Sequence, residues 1–227
     1  MDSAQEAKQA AARRALELVR AGMVLGLGTG STASYFIRGL GDLVRGGLKV
    51  SAVPTSLASA DAARRLGIDV LLEFDGTIDL AVDGADEIDP HLNLIKGRGG
   101  ALLREKMVAA SAERFVVIAD RSKLVSRLGQ GVLPVEVLPF LWSRTARRLS
   151  DLGAEWTLRG GEASPYLTDN GNLILDLRLG PGVADAVDLG REINNIVGVI
   201  ENGIFSGLAS ACILADESGV EIMGTLA

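Results

Sequence analysis

LAVDGADEIDPHLNLIKGRGGALLREK, residues 80–106, sets four glycines among a dense run of acidic and basic side chains. Its start belongs to an apolar run, residues 78–82, short enough for a buried strand and followed by Asp83, Asp86, Glu87 and Asp89. A strand that delivers polar groups at its carboxyl end is what open α/β sheets use to meet ligands. Lys96 and a loop with Gly97, Gly99 and Gly100 come next, then a helix-like segment over residues 101–112 that carries Glu105 in its early turns. Helical side chains lean toward the amino end of their helix, which places Glu105 over the glycine loop. Leu102, Leu103, Met107 and Val108 read as the face that packs this helix on the sheet. A carboxylate base, a lysine and a pair of aspartates around one hollow suit proton transfer next to a carbonyl, chemistry that needs no metal and no redox cofactor. The plain reading of the four acids is a solvated turn. Cation binding is the weaker alternative, because the glycine and terminal glutamate spacing of a calcium loop is absent.

Toward the amino terminus, MVLGLG (residues 23–28) reads as a buried strand that runs directly into a helix from about Ser31. At that junction Thr29, Gly30, Ser31 and Thr32 offer backbone N–H groups and hydroxyls to a phosphate at the positive end of the helix. A dinucleotide fingerprint is excluded by spacing: Gly26, Gly28 and Gly30 run G-x-G-x-G, and the next strand ends in Thr55 and Ser56, not in an acid for a ribose hydroxyl. Lys8, early in an amino-terminal helix, reads as a surface lysine unless that helix starts beside the phosphate loop. The order strand, helix, strand, helix, strand up to residue 83 argues for a parallel, Rossmann-like sheet with helices on its faces.

Toward the carboxyl terminus, RFVVIAD (residues 114–120) is another buried strand, with Lys123 just past its end. From Pro134 the texture changes to strand, helix, strand, strand, helix, strand, with a hairpin at Asn170-Gly171, the order of a small ferredoxin-like α+β unit. ASACILAD and GVEIM then rejoin the main sheet or extend its edge. The expected division is a main domain of residues 1–130 plus about 206–227 and a small domain of 131–205 that carries oligomer contacts. His91 reads as a surface residue, and Phe140, Trp142 and Tyr166 as core or interface packing.

A chain 48% hydrophobic and 23% charged is globular, and a net charge of −6 argues against a nucleic-acid surface. The single cysteine, Cys212, excludes an internal disulfide and points to a reducing compartment. Arg13, Arg14 and Glu17 break any signal-peptide core, and no segment has the apolar length of a membrane span. The expectation is a cytoplasmic protein.

LGTGSTA, DGADEID, KGRGGALLREK and ADRSKLV, specific together in this order and spacing, resemble the motifs of ribose-5-phosphate isomerase of the A type. The resemblance covers nearly the whole chain, including PVEVLPF and the NGN turn. It implies an enzyme without metal or cofactor that interconverts D-ribose 5-phosphate and D-ribulose 5-phosphate in the non-oxidative pentose phosphate pathway, as a homodimer with a tetramer as the alternative. Position by position it implies Glu105 as the base, assisted by Asp83, Asp86 and Lys96. Substrate would be bound by Thr29, Gly30, Ser31 and Thr32, by Asp83, Gly84, Ala85 and Asp86, by Lys96, Gly97, Arg98 and Gly99, and by Lys123. Arg98 stands where the family usually has glycine. The competing reading is a non-catalytic phospho-sugar sensor, which would have no need of Glu105, Lys96 or the aspartates.

Overall fold

A computed structural model describes residues 3–179 and 185–226. The chain begins with α1 (Ser3–Leu16), β1 (Val24–Leu27), α2 (Ser31–Arg45), β2 (Ser51–Pro54), α3 (Leu57–Arg65) and β3 (Asp69–Val70). It continues with β4 (Leu80–Asp83), β5 (Glu87–Ile88), β6 (Leu94–Ile95), α4 (Leu102–Ala110) and β7 (Phe115–Asp120). There follow β8 (Val132–Val137), α5 (Trp142–Ser150), β9 (Glu155–Leu158), β10 (Leu173–Arg178), α6 (Ala186–Asn194), β11 (Val199–Asn202), β12 (Ile204–Phe205), β13 (Ala211–Asp216) and β14 (Gly219–Gly224). The described residues form two compact units, drawn from 1–85, 104–124 and 207–227 and from 86–103 and 125–206. Residues 86–103 therefore group with the second unit, whereas the sequence reading placed them in the larger domain.

The first unit is a seven-stranded sheet in the order β14-β13-β7-β4-β1-β2-β3. It is parallel except for β14, which runs antiparallel along β13. All residues of β4 and β7 are buried, as strands covered on both faces must be. The chain fills the sheet outward from β1 in one direction and from β4 in the other, so their carboxyl ends flank the switch point where such sheets hold ligands. Ala7, Ala11 and Ala15 recur every fourth residue on α1 and pack with Phe36, Ile37 and Leu40 of α2 in the core. Gly26 of β1 lets α4 approach closely, because a Cβ there would lie 2.5 Å from Val108 Cγ1 and 2.8 Å from Ala81 Cβ. On α4 Glu105, Val108 and Ala109 are buried; Met107, expected in the packing face, is 61% exposed because it lies about 200° around the helix from Glu105.

In the second unit, β8-α5-β9-β10-α6-β11 forms an antiparallel sheet in the order β11-β8-β10-β9, the ferredoxin-like arrangement expected from the sequence. Alternate residues Leu133, Val135 and Val137 on β8 and Leu173, Leu175 and Leu177 on β10 point into its core. Glu136, on the opposite face of β8 and fully buried, shapes the hairpin: its Oε1 accepts from Thr168 Oγ1 (2.9 Å), Asn170 Nδ2 (3.1 Å) and Asn172 Nδ2 (2.9 Å). Trp142 and Trp156 meet edge to face, 5.8 Å between ring centroids. The start expected for the last helix, residue 183, lies outside the described residues, as do all of 180–184.

The second unit also holds a small sheet that the sequence did not announce, β12-β6-β5, with two residues per strand. The stretch GVIENGIF, read as one strand, divides at Gly203 between the two sheets. Gly203 donates to the carbonyl of Pro134 (2.8 Å) and accepts from the N–H of Lys96 (2.9 Å), and a Cβ there would fall 2.4 Å from Lys96 O.

Candidate active site

In the first unit, the junction of β1 and α2 is shaped by Asp83 at the end of β4. The N–H of Gly28 donates to Val82 O (3.0 Å), and Asp83 Oδ1 accepts the N–H groups of Thr29 (3.0 Å) and Gly84 (2.7 Å). The Asp83 carboxylate, 3% exposed, occupies the place a side chain at position 28 would take: a Cβ on Gly28 would lie 2.0 Å from Oδ1. Gly30 then takes φ +109° as the N-cap of α2, a conformation that favours glycine. The N–H groups of a helix's first turn have no partner within the helix, which leaves this one, at Ser31 and Thr32, suited to an anion. Lys8 Nζ lies 3.3 Å from Ser31 Oγ, so the start of α1 does bring a cation to the loop.

The hydroxyl of Thr29 turns the other way. Its Oγ1 lies 2.8 Å from Thr55 Oγ1, 2.8 Å from Ser56 Oγ and 3.1 Å from Ser59 Oγ. Ser59 Oγ in turn donates to Gly28 O (2.7 Å), and Thr55 Oγ1 to Leu27 O (3.1 Å). Thr55, Ser56 and Ser59 are buried and support the loop from behind. In the sequence, Thr55 and Ser56 tell only against a ribose-binding acid.

Also in the first unit, Glu105 sits in the first turn of α4 with 4% exposure. Lys123, half-buried, ends a short 3-10 turn capped by Asp120, whose Oδ1 accepts the N–H of Ser122 (3.2 Å). Ala85 and Gly84 are half-buried just past β4.

The second unit holds Asp86, Lys96, Gly97, Arg98 and Gly99. Asp86 Oδ2 accepts the N–H of Arg98 (3.0 Å), and the Asp86 N–H donates to Ile95 O (2.8 Å). Lys96 is 3% exposed, with Nζ 5.5 Å from the centroid of the Phe205 ring. The loop closes with a bond from Gly100 N–H to Gly97 O (2.9 Å), and Gly97 takes φ +98°. Gly99 is exposed. The guanidinium of Arg98 pairs with Glu87 Oε1 at 2.7 Å.

Two of the four acids in the opening motif serve the fold. Glu87, 3% exposed, accepts the N–H groups of Gly129 (2.7 Å) and Gln130 (3.1 Å) at Oε2 and of Gly131 (2.6 Å) at Oε1. Asp89 Oδ1 accepts the N–H groups of His91 (2.8 Å) and Asn93 (2.9 Å) in a tight turn. His91 is exposed, as expected. Among the described residues no group of three His, Cys, Asp or Glu side chains could hold a metal ion, and no helix is long and apolar enough to cross a membrane. The first unit offers an anion cradle with a nearby cation and a buried carboxylate on a helix; the second offers a lysine on a loop of fixed shape.

The family model described as ribose 5-phosphate isomerase A (phosphoriboisomerase A) matches residues 51–219. A ribose-5-phosphate isomerase A of Gloeobacter violaceus is 52% identical over 219 residues, covering 95% of each chain. The solved ribose 5-phosphate isomerase A of Methanocaldococcus jannaschii superposes with a TM-score of 0.93 at 42% identity, over 98% of this chain and 100% of that one. A D-ribose-5-phosphate isomerase solved in complex with phospho-erythronic acid matches with a TM-score of 0.93 at 43% identity, over 98% of this chain and 99% of the other.

Proposed function

The chain belongs to the ribose 5-phosphate isomerase A family, and from that membership we infer that it interconverts D-ribose 5-phosphate and D-ribulose 5-phosphate. The binding-only sensor is set aside. The observation that supports Glu105 as the base is its place, a carboxylate 4% exposed in the first turn of a helix packed on the sheet. In the aldose-to-ketose direction, Glu105 takes the proton from C2 and the C–H electron pair moves toward the aldehyde, leaving an enediolate with its negative charge on O1. The hydroxyl proton on O2 passes to O1, and the same carboxyl returns its proton to C1. Lys96 holds the oxygen that becomes negative, a role in which removing a preorganised donor costs roughly 3–4 kcal/mol. Asp83 and Asp86 serve the hydroxyl protons and ring opening; each already fixes a loop through one carboxylate oxygen. Phosphate binds at Thr29, Gly30, Ser31 and Thr32 with Lys8 beside them, far from the reacting carbons, and its binding energy aligns them. Gly84, Ala85, Gly97, Arg98, Gly99 and Lys123 complete the substrate contacts.

In a coupled assay for ketose formation, Glu105→Gln is expected to lower kcat by about 10² or more while the protein still folds and binds phosphate. Turnover near that of the parent protein would remove Glu105 from this role. Phospho-erythronic acid, which joins a phosphate to a planar carboxylate resembling the enediolate, is expected to compete with substrate.

The chain is further read as a cytoplasmic homodimer, with a tetramer as the alternative. Exposed apolar side chains support the association of copies: Phe140 (75%), Leu141 (55%) and Val197 (94%) lie on segments joined where the N–H of Leu138 donates to Gly198 O. Light scattering on the eluted protein decides between the two.

A further inference from the structure

The loop that carries Lys96 is braced by a side chain from the second unit's main sheet. Arg159 follows β9, and its guanidinium makes a two-point pair with Asp176 of β10: Nε donates to Oδ2 at 2.9 Å and Nη2 to Oδ1 at 2.5 Å. The remaining Nη1 reaches the loop, where it donates to the carbonyl oxygens of Gly97 (3.2 Å) and Arg98 (3.1 Å). The ring of Tyr166 lies 5.8 Å from the guanidinium carbon, and Gly100 packs so tightly on it that a Cβ there would fall 2.3 Å from the phenol oxygen. The Arg159 and Asp176 side chains are 17% and 19% exposed, so solvent ions screen the pair little.

A guanidinium held at two points is a rigid object, since the fork is planar and Asp176 fixes both its position and its rotation. Lys96 therefore lies between two pinned backbone positions. Its own N–H is bonded to Gly203 O, and the carbonyls of the next two residues are held by Arg159. A lysine side chain has many rotamers of its own, so the placement of its ammonium group depends on how firmly this backbone is fixed.

We propose that Arg159, braced by Asp176, is a positioning residue for the isomerisation: by holding the Gly97 and Arg98 carbonyls it sets where Lys96 meets the substrate oxygens. This rests on the reading of Lys96 as the group that stabilises the developing negative charge. Misplacement of that group matters most when the charge is present, so its loss falls on kcat more than on KM.

Steady-state kinetics with ribose 5-phosphate on Arg159→Met, Asp176→Asn, Lys96→Met and the double variant Lys96→Met/Arg159→Met test this, with a thermal melt of each. Arg159→Met is expected to lower kcat about tenfold or more, as a misplacement of about 1 Å can cost up to 10². Its KM should stay within about threefold. In the Lys96→Met background the same substitution should change kcat less than about twofold, because residues that act through one group are not additive. A kcat within about twofold of the parent for Arg159→Met, with Lys96→Met impaired, overturns the proposal and leaves the site reading standing. So does an equal fall in both backgrounds, the mark of a purely structural role. Normal turnover in Lys96→Met overturns the site reading, and the proposal falls with it. Should Arg159→Met fail to fold, Asp176→Asn, which keeps the partner's shape, carries the same comparison in both backgrounds.

Discussion

The two glycine loops of this protein are built from different materials. The 28–32 loop is held by neutral hydroxyls of Thr55, Ser56 and Ser59 and by one carboxylate, Asp83, all from strand ends and the helix start next to it in the parallel sheet. The 97–100 loop is held by charged side chains: Asp86 on the Arg98 N–H, Glu87 on the Arg98 guanidinium, and Arg159 on two carbonyls. The cause is the sheet beneath each. Parallel pairing of β1 with β2 and β4 sets Leu27 opposite Pro54 and Val82, so Thr55 and Asp83 arrive at the loop by register alone. The second loop follows β6, a two-residue strand in a sheet of two-residue strands, where register supplies little and ion pairs supply the rest.

That contrast can be broken by mutation. Glu87→Ala removes the acceptor of three N–H groups and one guanidinium, and is expected to cost roughly 3 kcal/mol, the low end for breaking a buried ion pair because the 129–131 loop can rehydrate. In a thermal melt this is a fall on the order of 10 °C. Gly28→Ala forces a Cβ onto Asp83 and is expected to cost about 1–3 kcal/mol, together with weaker binding of inorganic phosphate by calorimetry. Thr29→Val takes one hydroxyl from a cluster whose members keep other partners, and about 1 kcal/mol in urea denaturation is expected. If Thr29→Val costs as much as Glu87→Ala, the two loops do not differ in the way argued. The proton transfers proposed for Glu105 and the aspartates run through side chains alone, so a strong chelator is expected to leave kcat unchanged.

The same contrast explains what the sequence disclosed. LGTGSTA and LAVDGAD could be read because strand, glycine turn and helix are contiguous, and parallel pairing made neighbours of their ends. The order of the ferredoxin-like unit was legible for the same reason, through alternation along β8 and β10. The three-stranded sheet was not, since β12 pairs with β6 across more than a hundred residues and two residues per strand give no period to detect. Glu87 looked like one more acid in a solvated turn; its role depends on Gly129, Gln130 and Gly131, which no local pattern links to it. Arg159 and Asp176 face each other only because β9 and β10 pair, and arginine in a polar hairpin carries no signal of its own.

Gly203 is where the chain steps from one sheet of the second unit to the other, and the step is a single residue long. Side chains alternate along a strand, so one inserted residue at this corner would turn Ile204 and Phe205 inside out and carry the Phe205 ring away from the Lys96 ammonium. The turn between α5 and β9, exposed at Asp151 and Gly153, meets no such corner. Chain length is therefore freer to drift at that turn than at the corner, and loop insertions that leave catalysis intact belong at the turn.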